Sequence, residues 1–187
     1  QTVWPAGLAI VLSLLPIAAF ADTGFLGSIS HPLMAIAHLL LLVGLGMWVF
    51  LQDSKHQHSL ILFTLLGSIL GVFLGGIVPT SILGVSIVAL LLILMGVVIV
   101  THLKIHHMAG IVMSVVIGFF VTNAVGGMAL TATAILGVIG MLIGVFFGIA
   151  SGFGTHALLK DVHKGKVVML LGIMIGVVGL LKLFAIM

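Results

Sequence analysis

In a chain of 187 residues, 63% hydrophobic, six lysines and three aspartates are too few charges to cover a water-soluble domain. With a mean hydropathy of +1.55, the chain reads as an integral membrane protein. The lack of cysteine excludes disulfides, thiolate metal sites and cysteine nucleophiles, and the lack of arginine and tyrosine excludes bidentate guanidinium clamps and tyrosyl radicals.

A helix needs about 20 apolar residues to cross a bilayer. Seven segments approach that length. The first, Val3 to Ala21, ends in Ala19-Phe20-Ala21, a small-x-small pattern like that of an export-signal cleavage site. It is either a cleaved signal or a retained span, and retention is the expectation adopted here. The second span is His31 to Leu51, with Pro32 expected in its first turn. The loop 52–58 leads to the third, Leu60 to Val78. Pro79-Thr80-Ser81 turns the chain into the fourth, Ile82 to about Val100. After the loop His102 to Met108 come the fifth, Ala109 to Val125, and the break Gly126-Gly127. The sixth is Leu130 to Phe153, the loop Gly154 to Lys166 follows, and the seventh is Val167 to Met187. The expected fold is therefore all-α: one membrane domain over residues 1–187, a polytopic bundle of seven spans, or six if residues 1–21 are removed.

Charge tests this division. The loops after spans two, four and six hold Lys55, Lys104, Lys160, Lys164 and Lys166, and the loops on the other side hold none. By the positive-inside rule the lysine loops are cytoplasmic and the C-terminus external. The high isoelectric point thus reports topology, and no nucleic-acid partner is expected. Lys182, near the outer end of the last span, is expected to snorkel towards the headgroups.

Glycines recur every four residues at Gly67, Gly71 and Gly75, and again at Gly140, Gly144 and Gly148. Such faces allow close helix approach, either within the chain or towards another subunit or a second copy. Thr122 and Asn123 are the most polar residues deep in the later spans. They either glue helices or line a small pathway.

Of nine histidines, seven lie in or beside the lysine loops. His102, His106 and His107, with His56 and His58, form either a metal patch or a solvated interfacial cluster. His102 and His106 have the i,i+4 spacing of a helical chelate. The other two, His31 and His38, are seven residues apart, and on one unbroken helix they share a face at the outer end. They are the strongest metal-ligand candidates, with Asp22 or a partner chain completing the shell. The alternative for His38 is a core imidazole bonded to a backbone carbonyl, Asn123, Thr122 or Ser86. No nucleophile–base pair, phosphate loop or carboxylate pair can be assembled, so no enzymatic activity is expected.

The stretch His31-Pro32-Leu33-Met34-Ala35-Ile36-Ala37-His38-Leu39-Leu40, with Gly44-Leu45-Gly46-Met47-Trp48, resembles the first motif of the HupE/UreJ hydrogenase/urease accessory proteins. The preceding Leu-Pro-Ile-Ala-Ala-Phe-Ala-Asp-Thr-Gly resembles that family's signal and mature start. Ala37 stands where the family has aspartate, Ala35 where it has glycine, and Asp22 where a histidine often follows the signal. The second histidine motif is missing near Thr122 to Gly127. The resemblance implies a small membrane protein of nickel or cobalt uptake in a bacterial inner or intracytoplasmic membrane. The lost ligands leave open an alternative, a non-catalytic accessory or structural subunit of a larger membrane enzyme.

Overall fold

The computed structural model describes residues 25–75, 82–123 and 132–185. The first apolar segment, Asp22, the Pro79-Thr80-Ser81 turn and the Gly126-Gly127 break lie outside the described residues. Within them the chain forms α1 (Phe25–Met34), α2 (Ile36–Leu51), α3 (Ser54–Leu74), α4 (Ile82–Val100), α5 (His107–Thr122), α6 (Ala132–Leu159) and α7 (Lys166–Phe184), with a 3-10 turn at Val162–Gly165. There is no strand among the described residues. Three helices are long and apolar enough to cross a membrane, at Ser54–Leu74, Ile135–Leu159 and Lys166–Phe184, and three shorter apolar ones lie at Ile36–Leu51, Gly84–Val100 and His107–Thr122.

The expected second span is divided. Residues 25–30, read as a loop, are helical, and α1 ends at Met34. Ala35 is extended, with ψ of 102°, and serves as the N-cap of α2. Pro32 therefore lies near the end of a helix, not at the start of one. Its nitrogen carries no proton to bond the preceding turn, and its ring crowds that turn, which weakens α1 ahead of its end. Other helices extend further than expected. α3 begins at Ser54, which shortens the first lysine loop to Gln52 and Asp53, and α6 continues past Phe153 to Leu159.

Helices adjacent in sequence pack little against one another. The extensive interfaces are α4 with α7, α3 with α5, and α6 with both α1 and α2. Glycine makes these interfaces close. A side chain at Gly67 or Gly71 would strike the backbone of α5 at Val115 or Phe119, and one at Gly118 would strike Thr64 of α3. Gly140 and Gly144 lie against the carbonyls of Phe25 and Ile29, and Gly148 against Leu42. Gly96 of α4 faces Gly172 and Gly176 of α7. Gly75 is buried at the C-cap of α3. The repeats read from the sequence thus face helices of the same chain, where loss of a side chain permits backbone contact.

Polar side chains reinforce the packing. Thr122 donates its hydroxyl to the Ser68 carbonyl across the α3–α5 interface at 2.7 Å. At one end of the bundle the lysine-bearing loops meet. Lys104 pairs with Asp53 at 2.8 Å, the rings of His56 and His107 stack with centroids 3.9 Å apart, and the buried Trp48 indole donates to the Leu103 carbonyl at 3.2 Å.

Candidate functional site: a cleft at the end opposite the lysine loops

Four helix ends meet at the other end of the bundle: the starts of α2 and α4 and the finishes of α5 and α7. They enclose a partly open cleft of about 240 Å³ lined by His38, Gly84, Val85, Val88, Phe120, Asn123 and Lys182. Each polar member is there for a local reason. His38 is in the first turn of α2, which the extended Ala35 starts afresh. Asn123 follows the last residue of α5, and its backbone N–H closes that helix on the Phe119 carbonyl. Lys182 is in the last turn of α7, where exposed carbonyls favour a cation.

The three polar groups sit in different environments. His38 and Lys182 are half-buried. Asn123 is 4% exposed, and its Oδ1 has no hydrogen-bond partner among the described residues. A buried amide oxygen without a donor costs about 1–3 kcal/mol. Lys182 makes no ion pair among the described residues, where the single one joins Lys104 and Asp53 at the far end. The cleft is mainly apolar, with Val85, Val88 and Phe120 as walls. Its volume lies below the roughly 300–1,000 Å³ of pockets for drug-sized ligands, so it suits a small solute or one headgroup.

Sequence-predicted site residues separate. Asn123 joins His38 in the cleft, whereas Thr122 turns to Ser68 and acts between helices. His31 and His38 do not lie on one unbroken helix, because the helical register linking their backbones is interrupted at Ala35. His31 belongs by backbone to the last turns of α1, and its side chain, like Asp22, is outside what is described. Among the described residues no three His or Asp side chains converge as a metal shell. The helical chelate that the spacing of His102 and His106 would allow is also not formed. Residues 103–106 are non-helical, and His102 is left-handed, with φ of 52°. It closes α4: its N–H bonds the Ile99 carbonyl at 3.2 Å, and the Leu103 N–H bonds the Val98 carbonyl at 3.0 Å.

The placement of two residues escaped sequence reading. Lys182 resembled an ordinary snorkelling lysine, and only the fold brings it beside His38. His156, assigned to a loop, lies inside α6, 3% exposed and stacked on Phe50 at 4.8 Å. A histidine three residues beyond a hydrophobic run carries no signal that the helix continues. At the same end Lys160 stands 5.7 Å above the Phe50 ring. Comparison with known proteins adds no relative: no family model, no curated protein and no solved structure matches the chain.

Proposed function

We propose that this chain is a small, non-enzymatic membrane protein of seven spans that receives a solute at the cleft around His38. The observation carrying this reading is the interruption at Ala35. Broken helices at membrane depth are tolerated where they are buried in protein or line a cavity, and many transporters bind their solutes at such breaks. Here the break lies between the two histidines of the motif, and the second histidine opens on the cleft. The resemblance to HupE/UreJ proteins supplies the cargo class, nickel or cobalt, with His38 as a ligand and His31 and Asp22 as further candidates. Orientation follows from the lysines: the Lys104–Asp53 end is cytoplasmic, and the cleft and the C-terminus face outwards across a bacterial inner or intracytoplasmic membrane.

A second reading is favoured by Lys182. A lysine ammonium in the same small cleft repels a bare dication, which suits a non-catalytic subunit in which His38 is a packing residue. The described glycine faces are occupied within the chain, so a partner subunit would dock on the lipid-facing surface instead. The test is metal content and nickel uptake in proteoliposomes for wild type, His31→Ala and His38→Ala, each prepared alone and with any copurifying partner. Uptake lost in His38→Ala supports the transport reading. A metal-free wild type with a stoichiometric partner refutes it in favour of the subunit reading.

A further inference from the structure

We propose that the stacked imidazoles of His56 and His107 form a pH-sensitive latch at the lysine-loop end, closed near neutrality and opened by acid. The latch stands whether the chain carries a solute or serves as a subunit.

Helix direction sets its chemistry. α3 and α5 run parallel: Gly67 and Gly71 of one lie against Val115 and Phe119 of the other in that order, and Thr122 reaches Ser68. Their first turns therefore lie side by side. His56 is in the first turn of α3, His107 begins α5, and the two rings stack with centroids 3.9 Å apart and planes 25° from parallel. The unpaired N–H groups of a helix start carry partial positive charge, and here two starts add at the imidazoles. Side chains act in the same sense. Lys55 and His106 bear on His56 as further cationic or titratable neighbours, and the acid that opposes them, Asp53, is held by Lys104 at 2.8 Å. The Nδ1 of His107 is buried and has no hydrogen-bond partner among the described residues. A charged imidazole carries N–H on both nitrogens, so a charged His107 in this position buries a donor without an acceptor.

Neutral rings stack freely, and one proton leaves a cation on a neutral neighbour. A second proton sets two cations 3.9 Å apart between two helix starts, and mutual repulsion opposes the stack. Separated imidazoles each take up a proton near pH 6.5, roughly. The closed pair therefore holds fewer protons than the open one, and linkage favours opening as pH falls below about 6.5.

The packing beside the pair defines what opens. Gly110, one turn along α5, lies against the Trp48 indole and Leu60, and that indole donates to the Leu103 carbonyl in the connection leading into α5. Trp48 is fully buried. Displacement of the first turn of α5 uncovers it, while the deeper glycine contacts and the Thr122–Ser68 bond hold α3 and α5 together. On the orientation proposed above, the latch answers cytoplasmic pH.

The experiment follows Trp48 emission in the full-length chain carrying Trp4→Phe, in phosphatidylcholine nanodiscs, between about pH 8 and about pH 5. Acid should shift the emission to the red and raise acrylamide quenching at least about twofold, reversibly, with a midpoint near pH 6, roughly. His56→Phe keeps an aromatic stack and removes one titrating ring, so it should abolish the acid transition. His107→Phe should do the same, and it replaces His56→Phe if thermal melting shows that variant unfolded. His58→Gln, outside the pair on the same helix, should leave the transition in place. A Trp48 that stays buried throughout in the unsubstituted pair overturns the proposal. So does a transition that persists in both phenylalanine variants, which would assign it to His102 or His156 at the same end. Stoichiometric nickel bound at neutral pH and lost in either phenylalanine variant also overturns it, by making the pair metal ligands.

Discussion

His102 holds a backbone conformation that an L residue adopts at a cost. Its left-handed φ is normally supplied by glycine at a helix terminus of this kind, and a side chain there costs about 1–2 kcal/mol. His102→Gly relieves that cost and loses part of the gain to the greater freedom of the unfolded chain. The expected result is stabilisation by up to about 1 kcal/mol, read as a higher melting temperature in detergent. Thr122→Val removes the bond to Ser68 while keeping the shape. Hydrogen bonds between membrane helices average about 0.6 kcal/mol, so a loss of about that size is expected. Asp53 illustrates how little an exposed pair contributes. Its hydrogen bond and charge attraction to Lys104 lower the carboxyl pKa below the ordinary 3.8. A depressed carboxylate stabilises the fold above its unfolded pKa and loses that contribution as pH falls through the folded one. The pair is well exposed, at 65% for Lys104 and 55% for Asp53, and solvent screens it. Asp53→Asn should leave the melting temperature at pH 7 nearly unchanged and should remove a small acid-dependent loss below about pH 4.

Two glycines distinguish close packing from mere small size at the level of helices. Gly71 faces the Phe119 carbonyl and the Thr122 hydroxyl, so Gly71→Ala forces α3 away from α5 and should cost about 1–3 kcal/mol. Gly154, in the last third of α6, has open space where a side chain would begin, and Gly154→Ala should stabilise the helix by up to about 1 kcal/mol. Equal melting temperatures for the two variants would contradict the packing described. These faces were readable from the sequence, because a four-residue repeat of glycine survives any hydrophobic background. The break at Ala35 was not. The helices are apolar all round, so periodicity carries no phase, and Pro32 is as consistent with the start of a helix as with its end. The extent of α3 and α6 was missed for the opposite reason: polar residues such as His56 and His156 mark the end of an apolar run, and a helix is free to continue past it.

For the molecule as a whole, the lysine distribution predicts a single orientation, and the structure brings the lysine loops to one end through contacts such as Lys104 with Asp53. The native chain contains no cysteine, so single introduced cysteines report cleanly. Gln57→Cys and His106→Cys should react only with a reagent admitted to the cytoplasm, and Ala185→Cys with an impermeant reagent from outside. Labelling of Gln57→Cys and Ala185→Cys from the same side would refute the orientation. The cleft itself was only half legible. His38 and Asn123 stood out as polar residues in apolar spans, but their meeting with Lys182 depends on α2, α4, α5 and α7 converging, which no local pattern encodes.

The pairing order of the helices constrains how this protein is made. α1 to α4 are made before their main neighbours exist: α1 and α2 wait for α6, α3 for α5, and α4 for α7. Until then Gly67, Gly71 and Gly96 leave bare backbone without the helix that packs against it. α7 follows α1 to α6, and it brings both the partner surface for α4 and Lys182. A ribosome stalled just before α7 would therefore hold a chain with its α3–α5 pair assembled, α4 without its main partner, and the cleft still lacking its charge. α7 thus serves as the clasp, covering α4 and completing the cleft lining in one step.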